Sequence, residues 1–70
     1  MIYHIDLSEV DDRGTTIEAE SQSDTLVAAA LTEYILKVKD GEVHHSVDAA
    51  RTFISKYITK TTAEFGLDSL

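Results

Sequence analysis

The hydrophobic period of this chain changes once, between residues 20 and 24. Up to that point apolar and polar residues alternate. Tyr3, Ile5 and Leu7 fall on one side of residues 2–7, with Ile2, His4 and Asp6 on the other. Residues 15–20 repeat the pattern, with Thr15, Ile17 and Ala19 set against Thr16, Glu18 and Glu20. A period of two belongs to strands, whose side chains point alternately to opposite faces. Beyond the change, apolar residues recur three and four apart. The first set is Val27, Ala30, Leu31, Tyr34 and Val38; the second is Val47, Ala50, Phe53, Ile54, Tyr57 and Ile58. This is the spacing of a helix with one apolar stripe. The order predicted is strand, strand, helix, helix.

Local signals agree with that order. Ser8 to Gly14 is rich in turn formers, and Gly14 tolerates positive φ, so a β-hairpin is expected. Ser21 with Asp24 fits a capping box, and Ser23 is a rival N-cap. The first helix should run to about Lys39 and stop at Asp40-Gly41, with Lys37 and Lys39 suiting its negative end. Glu42 to His45 reads as a short connector with room for a brief strand. Ser46 is placed to cap the second helix, with Asp48 in its first turn. Thr59, Thr61 and Thr62 lower helix propensity through β-branching, so fraying is expected near residues 60–65, with Gly66 as the stop. Residues 1–66 are read as one small domain and 67–70 as a tail.

The fold class that follows is α+β: an N-terminal β-hairpin packed on two C-terminal α-helices, a two-layer ββαα unit. The core must be held by packing alone, because the 70 residues include no cysteine and hence neither disulfide nor thiolate metal site. A hairpin by itself is a marginal sheet. Pairing of hairpin edges across a two-fold axis is therefore expected, giving a four-stranded sheet in a homodimer. Leu26 and Leu36 fall off the apolar stripe of the first helix and are assigned to the oligomer interface.

Charge supplies the clearest functional signal. The formal net charge is −7, and residues 1–24 carry seven acidic side chains against Arg13 alone. Nearly all of the excess thus sits in the first third. The alternation places His4, Asp6, Glu18 and Glu20 on one hairpin face, extended by Asp11 and Asp12 in the turn. These six are the candidate partner-binding residues. Such a surface repels phosphate backbones and anionic lipid, so direct nucleic-acid or membrane binding is disfavoured and a basic protein partner is favoured. Regularly spaced carboxylates can also imitate a row of phosphates. The sharpest expectation is an inhibitor or nucleic-acid mimic, of the kind small phage-encoded anti-defence proteins provide, occupying a basic groove on a nucleic-acid-handling protein. The alternative is a structural or oligomerisation subunit acting through its apolar helix surface, with a small-ligand or metal-binding module as a third reading. The longest apolar run, Leu26 to Leu31, is far short of the roughly 20 residues a spanning helix needs. Met1 to Asp6 lacks the form of a secretory signal, so cytoplasmic residence is expected.

Chemistry-bearing patterns are few. Glu9, Asp11, Gly14 and Glu20 fall at positions 1, 3, 6 and 12 of a calcium-loop register, but Arg13 occupies a ligand position and the flanks read as strands. His44 and His45 are adjacent and point apart in an extended segment, so they read as solvated loop histidines. No nucleophile elbow, phosphate-binding glycine loop or thiol is present, and neither enzyme activity nor a metal or cofactor is expected. Ile2 to Leu36, with Asp12-Arg13-Gly14 and then Ser23-Asp24-Thr25-Leu26 leading into an alanine-rich helix, is similar to HicB-type antitoxins. Ser23 replaces that family's glycine, Val27-Ala28 its glutamates, and its additional strand is missing. The resemblance implies an antitoxin-like partner-binding module. Phe65-Gly66-Leu67-Asp68-Ser69-Leu70 resembles the phosphopantetheine segment of acyl carrier proteins. There the serine opens a helix in mid-domain, whereas Ser69 stands next to the last residue here, and no carrier role is assigned to it.

Overall fold

The computed structural model describes residues 1–65; the expected stop at Gly66, the tail and most of the carrier-like segment lie outside them. Two strands, β1 (Ile2–Asp6) and β2 (Thr16–Glu20), form an antiparallel hairpin, followed by α1 (Asp24–Lys39) and α2 (Val47–Phe65). The ββαα order read from the periodicity is the observed one. Register pairs Ile2 with Glu20, His4 with Glu18 and Asp6 with Thr16, so the polar residues of both strands share the outer face. Tyr3, Ile5, Ile17 and Ala19 share the inner one.

The turn between the strands is held by its own polar groups. The Leu7 N–H donates to the Thr15 carbonyl at 2.9 Å, and the N–H groups of Val10 and Asp11 both donate to the Leu7 carbonyl at 3.0 Å. Asp6 Oδ1 accepts from the Ser8 N–H and Asp11 Oδ1 from the Arg13 N–H, the local side-chain turns typical of aspartate. Gly14 closes the turn at φ 68°, where a side chain is strained.

Ser23, not Ser21, is the N-cap of α1: its Oγ accepts from the Leu26 N–H at 3.3 Å. Ser21 is buried and braces the cap, its Oγ accepting from the Ser23 N–H. The far end is a Schellman closure. The Gly41 N–H donates to the Val38 carbonyl and the Glu42 N–H to the Lys37 carbonyl, with Gly41 at φ 77°. Because Glu42 and Val43 spend their N–H groups on Lys37, residues 42–46 form no strand. Ser46 Oγ then caps α2 by accepting from the Ala49 N–H at 3.0 Å. The threonines do not fray α2, which continues to Phe65. Thr61 and Thr62 are half-buried, and tertiary contact outweighs the small propensity cost.

One core joins the layers. Ile5, Leu7, Ile17 and Ala19 from the hairpin region meet Leu26, Val27, Ala30 and Tyr34 of α1 and Ala50, Ile54 and Ile58 of α2. Leu7, Tyr34 and Ile54 are the largest fully buried side chains among the described residues. Leu26 belongs to this core, so the assignment of Leu26 to an oligomer interface is corrected: the chain buries it itself. Leu36 is 49% exposed.

Candidate functional site

The outer face of the hairpin is built by pairing alone. Ile2, His4, Asp6, Thr16, Glu18 and Glu20 all lie on it and all are exposed. Residues two apart on one strand stand about 7 Å apart, which sets the spacing of Glu18 and Glu20. His4 Nδ1 lies 3.9 Å from Glu18 Oε2 across the strands, a solvated contact that contributes little to stability. Among the described residues no lysine or arginine lies within ion-pair distance of Asp6, Glu18 or Glu20; Lys37 pairs instead with Glu42 at 3.1 Å. Asp12 is exposed in the turn.

Asp11 departs from that surface. Its carboxylate turns inward and Oδ2 accepts from His45 Nε2 at 2.8 Å, with both side chains only 16–17% exposed. Asp11 is thereby corrected from an outward-facing binding residue to a member of an internal relay, and His45 from a solvated loop residue to its centre. His45 Nδ1 lies 2.6 Å from the hydroxyl of Tyr34, which is 0% exposed and also reaches the Ser46 carbonyl at 3.4 Å. Sequence separation hid this: Asp11 sits in the hairpin turn, Tyr34 on α1 and His45 in the α1–α2 connector. The signal that was available is Tyr34 itself, since a tyrosine on a core stripe needs a partner for its buried hydroxyl.

Proton positions follow from the acceptors. An ionised carboxylate only accepts, so Nε2 carries a hydrogen. With neutral imidazole, Nδ1 then accepts from the Tyr34 hydroxyl. With imidazolium, Nδ1 donates to the Tyr34 oxygen and the hydroxyl proton turns to the Ser46 carbonyl. Every group is satisfied in either state, and no buried side-chain nitrogen or oxygen among the described residues lacks a partner. The His45 hydrogen bond, opposed by burial and assisted by the Arg13 N–H and Thr15, holds the Asp11 carboxyl below its usual value. Burial, with the Asp11 charge nearby, pushes the Tyr34 hydroxyl above its own.

A cleft of about 310 Å³ lies beside the relay, lined by Asp11, Arg13, Thr15, His45, Ser46 and Val47. Both ring nitrogens of His45 are engaged, so the relay ties the hairpin turn to the start of α2 and presents no free base to the cleft. The calcium register does not assemble either. Asp11 is spent on His45 and Arg13, while Glu20 lies at the far end of β2, about 14 Å beyond Thr16. Among the described residues no group of three or more histidine, cysteine or acidic side chains is placed to hold a metal ion. No helix among them is long and apolar enough to cross a membrane.

The fold and its surfaces define a small ββαα domain with an acidic sheet face. No protein-family model, curated protein or solved structure matches the chain.

Proposed function

We propose that this chain is a small regulatory binding protein whose outer hairpin face docks on a basic surface of another protein in the cytoplasm. The observation that carries the reading is the clean division of the hairpin: Asp6, Glu18 and Glu20 stand exposed on one face, while Ile5, Ile17 and Ala19 are buried on the other. A two-stranded sheet fixes the backbone positions from which those carboxylates project, so the ordering entropy lost on meeting a complementary array is confined to the side chains. Long-range attraction between the acidic third of the chain and a basic groove raises the association rate. In its sharper form the partner is a nucleic-acid-handling protein, and the carboxylate row occupies the groove its phosphates would take.

Observation also favours this reading over a structural subunit. The helices expose Leu36 alone among large apolar side chains of the described residues, because Leu26 is in the core. That is a small patch for assembly through helices. The experiment is charge reversal, E18K/E20K, on an affinity-tagged full chain used to capture partners from host lysate at low and high salt. Capture lost on reversal and weakened by salt, with the fold intact by circular dichroism, supports the reading; unchanged capture overturns it.

A further inference from the structure

We infer that the outer edge of β1 pairs with β1 of a second copy, around His4, to make a four-stranded sheet in a symmetric dimer. The inference does not rest on the partner reading above; it concerns the sheet edge, not the face.

Which backbone groups are free follows from the register. The Leu7 N–H donates inward to the Thr15 carbonyl and the Met1 carbonyl accepts inward from the Ser21 N–H. Hydrogen-bonding direction alternates along an antiparallel strand, so Tyr3 and Ile5 also point inward. Ile2, His4 and Asp6 therefore aim their N–H and C=O groups away from β2, as Thr16, Glu18 and Glu20 do on the opposite edge. None of these six residues takes part in the loop, turn and cap hydrogen bonds of the described backbone. Among the described residues neither edge is paired with another strand, and charge distinguishes them.

Self-pairing of β2 about its middle sets Glu18 of one copy directly opposite Glu18 of the other, and like charges so placed are destabilising. That edge is blunted in the way sheet proteins commonly protect one. Self-pairing of β1 about its middle sets His4 opposite His4, Ile2 opposite Asp6 and Tyr3 opposite Ile5. No carboxylate then faces a carboxylate, and all three outward residues of each strand are used, for about six backbone hydrogen bonds. A second observation falls on the same edge. Of the three large apolar side chains exposed among the described residues, Met1 at 77% and Ile2 at 52% lie at the start of β1. Pairing β1 with β2 of another copy would instead leave a β1 edge at one end and a β2 edge at the other, so further copies could add without limit. Self-pairing of β1 leaves only the two β2 edges, which oppose Glu18 to Glu18.

Amide hydrogen exchange by NMR on the full chain, with light scattering on the same samples, tests the inference. Concentrated samples should approach twice the 7.7 kDa chain mass. The Ile2, His4 and Asp6 amides should exchange about tenfold more slowly than on dilution, while Thr16, Glu18 and Glu20 stay fast. His4→Pro removes the central N–H, which the hairpin itself does not use, and should abolish the dimer. If that variant unfolds, His4→Lys keeps an attractive neighbour for Glu18 but opposes two cations, weakening dimerisation about threefold or more. A single-chain mass at all concentrations, protection arising on β2, growth beyond two copies, or a dimer indifferent to His4→Lys each overturns the inference.

Discussion

Tyr34→Phe removes one oxygen from the most buried point of the relay and nothing else. The ring keeps its packing, with its centroid 5.6 Å from that of Phe53 and 5.8 Å from that of His45. What disappears is the 2.6 Å contact with His45 Nδ1 and the longer one to the Ser46 carbonyl. Leaving a largely buried imidazole nitrogen unpaired costs about 1–2 kcal/mol, the lower figure if water reaches it. Domains of this size hold together by only about 4–10 kcal/mol, and 1 kcal/mol moves their Tm by roughly 4–8 °C. The expected change at about 1.5 kcal/mol is therefore a drop of about 6–12 °C, read by circular dichroism on heating. Combining Tyr34→Phe with Asp11→Asn should cost less than the sum of the two, because both act through His45. A Tm within about 2 °C of the parent would refute the claim that the relay clamps the hairpin turn to the helices.

The remaining predictions concern charge, turn and cap. The folded state holds the Asp11 carboxyl below its unfolded value of 3.8, so its contribution is complete above that pH and lost as pH falls through the folded value. Denaturant midpoints should therefore decline below about pH 4 more steeply for the parent than for Asp11→Asn; parallel curves would contradict this. Gly14→Ala meets no atom within 4 Å, so its whole cost is the left-handed backbone, about 1–2 kcal/mol in urea unfolding. Ser23→Ala removes the α1 cap and should cost about 0.5–2 kcal/mol, while Ser23→Asp should retain most of it; equal losses for both variants would argue that the Ser23–Leu26 bond is not what starts the helix.

The elements were legible because their signals are local. Alternation at Tyr3, Ile5 and Ile17, the Gly41 stop and the Ser46 cap each depend on neighbours within a few residues. The Ser21–Ser23 choice was not legible, since both residues suit a cap and only the fold shows that Ser21 is buried and bonded to Ser23. Leu26 was misplaced because a single apolar stripe underestimates a helix that touches both the hairpin and α2. The frayed end expected from Thr61 and Thr62 gave way to tertiary burial, which propensity does not contain. Half of the candidate site could be read: Glu18, Glu20, Asp6 and His4 follow from period two. The other half could not, because Asp11, Tyr34 and His45 meet only when the hairpin turn closes over the α1–α2 connector. No spacing rule connects residues that far apart.

On the proposed function, the exposed carboxylates of the hairpin make the contact with a partner. That contact is tested most directly by comparing the parent with E18K/E20K as bait in host lysate, at about 50 mM and 500 mM salt, where the screening length shortens several-fold. A discrete protein should be retained by the parent at low salt, reduced at high salt, and absent from the reversed variant. Retention of the same protein by both baits, unaffected by salt, would contradict the proposed function.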